Sequence, residues 1–291
     1  MKYVIAKTKS NIPSTALMGV LMVCLMVFSL GCSNPRPTNT FLIYQPEGFS
    51  YKSIEDKMIF VQGGTFNMGA KTLMLDERPI HQVTVSDFYM SMTEVTQEEW
   101  MAVMGGNPSH FQNKAYPVEK ITWYEAVNFA NKLSALEGLD PVYSFEEGQV
   151  VWDKRKNGYR LPTEAEWEFA ARGGTKTKDF KYSGSNKISE VAHHTGNVKD
   201  DLNKSVAILK ANELGLHDMS GNVYEWVWDW KTDYTGEHQI DPTGNLHGKS
   251  KRVRGGSAFC AAYANRITWR GAYNPSDRRY YIGLRVARNA N

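Results

Sequence analysis

The stretch "YRLPTEAEWEFAARGG", Tyr159–Gly174, contains the clearest structural signal in the chain. Thr163 is followed three residues later by Glu166, and this spacing predicts a capping box. In that motif the threonine hydroxyl accepts from a free backbone N–H while the glutamate binds the N–H of the cap residue. Gly173 then suits a left-handed C-terminal cap. The stretch therefore predicts a short helix, with Glu164, Glu166 and Glu168 as capping and surface charges.

The same device occurs twice before this point. One segment runs from Thr96 through Glu99 to Gly105, and another runs from Thr122 through Glu125 to Gly138. The second segment carries an apolar stripe at i, i+3, i+4 and i+7, which predicts a buried helix face formed by Ala126, Phe129, Ala130 and Leu133.

Short strands account for most of the remaining pattern. "HQVTVSDFYM" alternates, which places Val83, Val85 and Phe88 inward. "KRVRGGSAF" and "YYIGLRVAR" are two further predicted strands. The rest is rich in Gly, Asn, Asp and Trp without periodicity. We therefore expect an α+β domain with little regular secondary structure.

Composition excludes some classes of protein. The chain has 291 residues, a formal net charge of +3 and 12% aromatic residues. Lysines and arginines are spread along it rather than gathered in a stripe or tail, so we expect no nucleic-acid partner. Disordered chains contain few aromatic residues, so the aromatic content of this chain indicates a folded protein.

The N-terminal segment has the pattern of an export signal. Basic residues precede the apolar run "ALMGVLMVCLMVFSL", which is short for a membrane-spanning helix. "SLGC" follows, which resembles a bacterial lipobox with Cys32 as the lipid acceptor. We predict a lipoprotein signal peptide at 1–31, a polar tether at 32–50 and one domain at 51–291. An ordinary signal peptide cleaved nearby and an uncleaved anchor are the alternatives, because Ser29 stands where the lipobox prefers leucine. Ser33 favours the outer membrane, facing the periplasm.

The positions of the three cysteines limit which disulfides and metal sites the chain can form. Cys24 lies in the apolar run, Cys32 is the predicted lipid acceptor, and Cys260 is the remaining thiol. An internal disulfide and a cysteine-based zinc site are therefore excluded from the mature domain.

The order of several segments resembles the formylglycine-generating enzyme family, also called the sulfatase-modifying factor domain. These segments are "FNMG", "ERPIHQVTVSDFYMSMTEVTQEEWMAVMG", "NPSHF", "PVEKITWYEAVNFANKLS", "YRLPTEAEWEFAARGG", "NELGLHDMSGNVYEWVWDW", "RVRGGSAF" and "GLRVAR". The resemblance covers Met58 to Arg288. It implies a compact α+β fold related to C-type lectins.

The resemblance also implies an enzymatic activity, but this sequence differs from the family pattern at one position that the activity requires. The best-known members oxidise a sulfatase cysteine within a C-x-P-x-R peptide to formylglycine, using oxygen and copper held by two cysteines. Cys260, three residues after Ser257, matches the first, but the second position holds Asn265. Cu(I) prefers two thiolates. We therefore do not expect copper, although Cys260 and Ser257 remain the candidate catalytic residues.

Two interpretations of Cys260 stay open. A free cysteine often packs as a small hydrophobe, and the apolar neighbours of Cys260 favour that interpretation. A lone thiol in an exported protein can alternatively be kept for chemistry. The corresponding functions are a non-oxidase binding or assembly component, similar to gliding and secretion lipoproteins, and an oxidase of sulfatases or other substrates. Partners would be the membrane, through Cys32, and a peptide or envelope protein.

The resemblance further implies calcium. At "SGNVYEW" the expected ligands are the carboxylate of Glu225 and the carbonyls of Ser220, Gly221 and Val223. Oxygen ligands suit a hard cation, although these polar groups could instead only brace the turn. A second calcium site is implied in "HTGNVKDDLNKS", with Asn197, Val198 and Asp201 as ligands.

Arginines gather towards the C-terminus. Salt bridging to acidic loop residues is one interpretation, and a groove for an acidic or polar peptide is the other. The residues concerned are Arg266, Arg270, Arg278, Arg279 and Arg285.

Overall fold

The computed structural model describes residues 52–71, 74–198 and 203–290. All of them fall within one compact unit, Ile43–Asn291. The predicted signal peptide and tether, including Cys32, lie outside the described residues. No helix in the described part is both long and apolar enough to cross a membrane.

The described residues form three α-helices: α1 (Gln97–Met104), α2 (Trp123–Leu136) and α3 (Glu164–Ala171). Each begins at the predicted threonine with a complete capping box. Gly105, Gly138 and Gly173 have positive φ, as predicted for residues that end helices. The four stripe residues of α2 are fully buried.

Thirteen short strands are described. They are β1 (Met58–Val61), β2 (Gly64–Met68), β3 (His81–Val85), β4 (Phe88–Ser91), β5 (Tyr143–Glu146), β6 (Gln149–Trp152), β7 (Tyr159–Arg160), β8 (Tyr224–Trp230), β9 (Gln239–Ile240), β10 (Lys251–Arg254), β11 (Gly271–Tyr273), β12 (Ile282–Leu284) and β13 (Ala287–Asn289). The segment predicted as one strand at 81–90 is two strands, β3 and β4, and Val83, Val85 and Phe88 point inward as expected.

These strands form four small sheets. Their orders are β1-β4-β13-β7, β11-β10-β8-β12, β2-β3-β9 and β5-β6. Pairing is antiparallel except for β12 with β8 and β3 with β9. Short 3-10 turns occur at Glu55–Lys57, Leu75–Glu77, Gly174–Lys176, Ile188–Glu190 and Ala262–Asn265. The result is the mixed α+β fold with little regular structure that the sequence indicated.

Buried indoles join α2 and α3 to β8. Trp123 donates to the carbonyl of Val227 at 3.0 Å, and Trp226 donates to the carbonyl of Ile121 at 3.1 Å. Trp167 of α3 donates to the Glu225 carboxylate at 2.7 Å. Because buried Trp N–H groups need acceptors, these bonds fix the helices against the sheet that carries the loop containing Cys260.

Charges inside the fold correct one prediction. Glu164 and Glu168 are 3% and 0% exposed, so they are not surface charges. Arg270 donates to Glu164 at 2.7 Å, and Arg254 donates to Glu168 at 2.6 Å. The arginines hold the pKa of Glu164 down to about 2 despite its burial. Paired guanidinium groups therefore allow both carboxylates to be buried.

Candidate functional site

The loop that follows β10 carries Cys260. Gly255 and Gly256 open this loop with φ of +93° and +76°. A Cβ at Gly256 would collide with the Asn265 side chain and the Ala264 carbonyl. The two glycines therefore let the loop fold back on itself around Asn265.

The Cys260 thiol lies among polar groups. Its Sγ is 3.2 Å from Ser257 Oγ, and it donates to the Tyr224 hydroxyl at 3.4 Å. Trp269 Nε1 donates to the same hydroxyl at 3.1 Å. Burial, with the neighbouring Cys260, raises the pKa of Tyr224 far above its usual value. The phenol therefore stays protonated. The thiol itself is partly buried and packs against the core around α2.

Asn265 has a structural role in this loop. Its side chain is fully buried, and its Nδ2 donates to the carbonyls of Ala261 at 3.1 Å and Cys260 at 3.4 Å. Thr195 ties the loop from the other side, because its backbone N and its Oγ1 both lie 3.2 Å from the Cys260 carbonyl. Among the described residues Cys260 is the only cysteine.

Aromatic rings near the Cys260 loop contact one another in a connected, partly exposed surface whose buried member is Tyr224. Phe259 and Tyr280 have ring centroids 4.8 Å apart, and Tyr263 and Trp269 have centroids 5.4 Å apart. Tyr280 is 44% exposed and Tyr263 is 56% exposed. We call this surface the Cys260 face, and its members are Phe111, Tyr224, Phe259, Tyr263, Trp269, Tyr273, Tyr280 and Tyr281.

A buried carboxylate positions one edge of the Cys260 face. Glu119 accepts from the backbone N–H groups of His110 and Phe111, the latter at 2.9 Å. Glu119 Oε2 is buried without a hydrogen-bond partner in the described part of the chain. Burial raises the pKa of Glu119 to about 7. The position of Phe111 therefore depends on a group that titrates near neutral pH.

The predicted calcium carboxylate has a different partner. Glu225 and Arg285 are both fully buried, and Arg285 Nη2 lies 2.8 Å from Glu225 Oε1. Trp167 donates to the other carboxylate oxygen. Beside them Glu94 accepts from the Asn222 side chain at 2.7 Å and from the backbone of Val223 at 3.1 Å. Burial raises the pKa of Glu94 well above its usual value.

At the predicted second calcium site the structure describes only some of the residues. Asn197 donates to the carbonyl of Ala192 at 2.7 Å and accepts from the backbone of His194 at 2.8 Å. Val198 is nearly buried, and Asp201 lies outside the described residues. Asn203, which sequence reasoning missed, is fully buried, and neither polar atom of its side chain has a partner in the described chain.

The sequence of residues 47–290 matches the FGE-sulfatase family, described as the sulfatase-modifying factor enzyme 1-like domain. The chain belongs to the FGE-sulfatase family.

Relatives of known name support this membership. The chain is 37% identical over 268 residues to the chaperone protein LppX of Paenibacillus barcinonensis, covering 81% of this chain and 91% of that protein. It is 26% identical over 279 residues to the formylglycine-generating enzyme of Mus musculus, covering 79% and 74%. The solved structure of Treponema denticola variable protein 1 superposes with a TM-score of 0.73 at 34% identity, covering 80% and 94%.

Some of the donor groups that the implied metals would use are missing or already paired in the described residues. Copper would need two thiolates, but the amide of Asn265 is bound to backbone carbonyls beside a single sulfur. Calcium would need an available carboxylate, but a guanidinium neutralises Glu225. The described residues contain no cluster of three His, Cys, Asp or Glu side chains that could hold a metal. Calcium at either segment stays a prediction.

Sequence reasoning placed Cys260 and Ser257 together but missed the aromatic surface. Its rings come from segments near residues 111, 224, 259 and 280, which the fold brings together. The available signal was the placement of aromatic residues in loops, as in "NPSHF" and "RRYY". Hydrophobic periodicity predicts helices and strands, and it does not predict a surface formed by loops.

Proposed function

We propose that this FGE-sulfatase protein is a lipid-anchored envelope protein that binds polypeptides at the Cys260 face and does not oxidise cysteine. The observation that supports this most is the pairing of an incomplete thiol site with a partly exposed aromatic surface. The loop of Cys260 keeps its shape because Asn265 braces it. The aromatic surface beside Cys260 is therefore held in place although Asn265 stands at the position of the second thiol.

The chemistry of the Cys260 face suits polypeptide binding. Tyrosine and tryptophan supply large, rigid contact areas at low entropic cost, and they are enriched among the residues that dominate binding energy. Tyr280 and Tyr263 leave about half of their surfaces available to a partner. Arg278 and Arg279 precede Tyr280. Their side chains are 48% and 49% exposed, and they pair with Glu125 at 2.7 Å and with Asp277 at 3.4 Å. Such rim charges favour acidic segments and faster association.

The name of one relative points in the same direction. The P. barcinonensis relative is called a chaperone protein, and this chain matches nearly all of it. A chaperone binds chains that expose apolar and aromatic side chains before they fold. The Cys260 face offers matching chemistry, so we assign unfolded or partly folded exported proteins as the partner class.

Anchoring is proposed from the sequence. Acylation of Cys32 would hold the domain at a membrane through the polar segment 32–50. We expect cells fed an alkyne fatty acid to label the protein, and Cys32→Ser to abolish the label. A label that persists in this variant would contradict lipidation at this residue.

The binding proposal is tested with a permanently unfolded probe. We would measure fluorescence anisotropy of labelled, reduced and carboxymethylated α-lactalbumin with the detergent-solubilised full chain. The double variant Tyr263→Ala/Tyr280→Ala should bind at least about tenfold more weakly. Phe60→Ala is the control, because Phe60 is 49% exposed and is no member of the Cys260 face. Equal binding by all three proteins would overturn the proposal.

An oxidase is the second candidate, and the 3.2 Å contact between Cys260 Sγ and Ser257 Oγ favours it. This function would require oxygen uptake with a C-x-P-x-R peptide and its loss in Cys260→Ser. We expect neither, because one sulfur provides half of the two-thiolate site that Cu(I) prefers. Turnover of the peptide would replace the binding proposal with the oxidase.

A further inference from the structure

A cleft lies between the β5–β6 hairpin and the loop at 243–248. Its volume is about 610 Å³, which lies within the range of small-molecule sites. Four tryptophans line it: Trp123, Trp152, Trp228 and Trp230. We call it the tryptophan cleft. It shares no lining residue with the Cys260 face, so the inference below does not depend on the proposed function.

Lys251 is held at the base of this cleft. The residue is 1% exposed, and its Nζ lies 3.9 Å from the ring centroid of Trp123 and 4.0 Å from that of Trp230. The ammonium can donate three hydrogen bonds. The carbonyl of Trp228, at 2.7 Å, is its one acceptor among the described residues. Burial lowers the pKa of Lys251 to about 7, so near neutral pH its side chain exchanges between a charged and a neutral form. Both forms keep an N–H donor for a further acceptor.

A second donor at the cleft also lacks a partner. Trp152 Nε1 is buried and has no hydrogen-bond partner in the described part of the chain. A buried indole N–H normally finds an acceptor. Two polar donors in the walls of one cleft, Lys251 Nζ and Trp152 Nε1, are thus available for an acceptor-rich ligand.

Among the described lining residues of the cleft, Lys154 is the exposed cation. Lys154 and Lys251 line it, and no Asp or Glu is found among its described lining residues. The rim carries Gln149, Thr243 and Asn245, whose side chains can donate and accept. The site therefore combines flat aromatic walls, a positive charge and a hydrogen-bonding rim.

We propose that the tryptophan cleft binds an acidic saccharide. The apolar C–H face of a sugar ring matches the indole faces, and its hydroxyl groups match the polar rim. Its carboxylate complements Lys154 at the rim and accepts from Lys251 at the base. A purely aromatic anion would leave the rim without hydrogen bonds, and a neutral sugar would leave Lys154 without a counter-charge. The combination of aromatic, polar and cationic walls therefore favours the acidic sugar.

Isothermal titration calorimetry on the detergent-solubilised full chain tests this assignment. The probes are trigalacturonate, a hyaluronan tetrasaccharide, neutral maltotriose and 1-naphthoate. We expect at least one acidic saccharide to bind at least about tenfold more tightly than maltotriose and 1-naphthoate. No binding of either acidic saccharide at about 10 mM, or equal binding of 1-naphthoate, would overturn the proposal.

Surface variants connect any binding to the cleft. Lys154 is exposed, so Lys154→Glu should weaken the acidic saccharide by about tenfold without unfolding the protein. Arg155→Glu is the matched control, because this neighbouring side chain is 89% exposed and is absent from the cleft. Equal affinities for the two variants would place the binding elsewhere and refute the assignment.

Discussion

Around α3 the protein buries its charges, whereas around Cys260 it exposes its aromatic rings. Beneath α3, Arg252 and Arg254 are fully buried and Arg270 is 6% exposed, with Glu164 and Glu168 as their partners. At the Cys260 face, Tyr263 and Tyr280 are about half exposed. Buried charges need fixed partners, so the arginine network has a structural role. The exposed rings, by contrast, are available for recognition.

The C-terminal arginines also divide into a buried group and an exposed group. Arg266 pairs with Glu77 at 2.6 Å, and Arg270 and Arg285 pair with Glu164 and Glu225. Arg278 and Arg279 make only partly exposed pairs. Buried salt bridging therefore explains the first three arginines, whereas the pairs of Arg278 and Arg279 lie at the surface.

The largest expected effect comes from breaking the buried network. Arg285→Met leaves the Glu225 carboxylate buried without its cation and removes donors to the carbonyls of Ser91 and His217. We expect a loss of about 3–5 kcal/mol in the free energy of unfolding, measured with urea. Arg279→Met is the control and should leave the urea midpoint unchanged. A loss below about 1 kcal/mol in Arg285→Met would contradict a structural role for the pair.

The next effect is on binding at the centre of the Cys260 face. Phe259 contacts the rings of Phe111, Tyr280 and Tyr281, whereas Tyr263 contacts Trp269 at the edge. Phe259→Ala should weaken binding of unfolded α-lactalbumin by about 30-fold, because central aromatic residues contribute most. Tyr263→Ala should cost less. The reverse order, measured by anisotropy, would place the binding centre elsewhere.

A smaller effect depends on pH. The pKa of Glu119 is about 7 in the folded protein, above its usual 4.5. The folded state therefore keeps a proton that the unfolded state loses, and Glu119 lowers stability as pH rises from 4.5 to 7. Glu119→Gln should remove this fall while its oxygen still accepts from Phe111. Urea midpoints at pH 5 and pH 8 check this, and equal pH dependence in both proteins would contradict it.

The smallest effect is expected at the thiol. The contacts of Cys260 with Ser257 and Tyr224 are weak sulfur hydrogen bonds at 3.2 and 3.4 Å. Cys260→Ala should therefore change the free energy of unfolding by less than about 1.5 kcal/mol. A larger loss would show that the thiol supports the loop as strongly as Asn265 does.

Local signals in the sequence predicted local structure correctly. Thr96, Thr122 and Thr163 cap their helices because a capping box needs only residues three positions apart. Glu164 and Glu168 were predicted wrongly as surface charges, because both are buried against arginines 86 to 106 residues away. Arg172, four residues after Glu168, is the one local partner among the described residues. The Cys260 face was missed for the same reason. Its rings meet only when distant loops are packed.

Oxygen uptake and probe affinity, measured together on the wild type and Cys260→Ala, test the central claim most directly. Both proteins should bind carboxymethylated α-lactalbumin with affinities within about twofold. Neither should consume oxygen with a C-x-P-x-R peptide. Oxygen uptake by the wild type that Cys260→Ala abolishes would contradict the account and identify Cys260 as a catalytic residue.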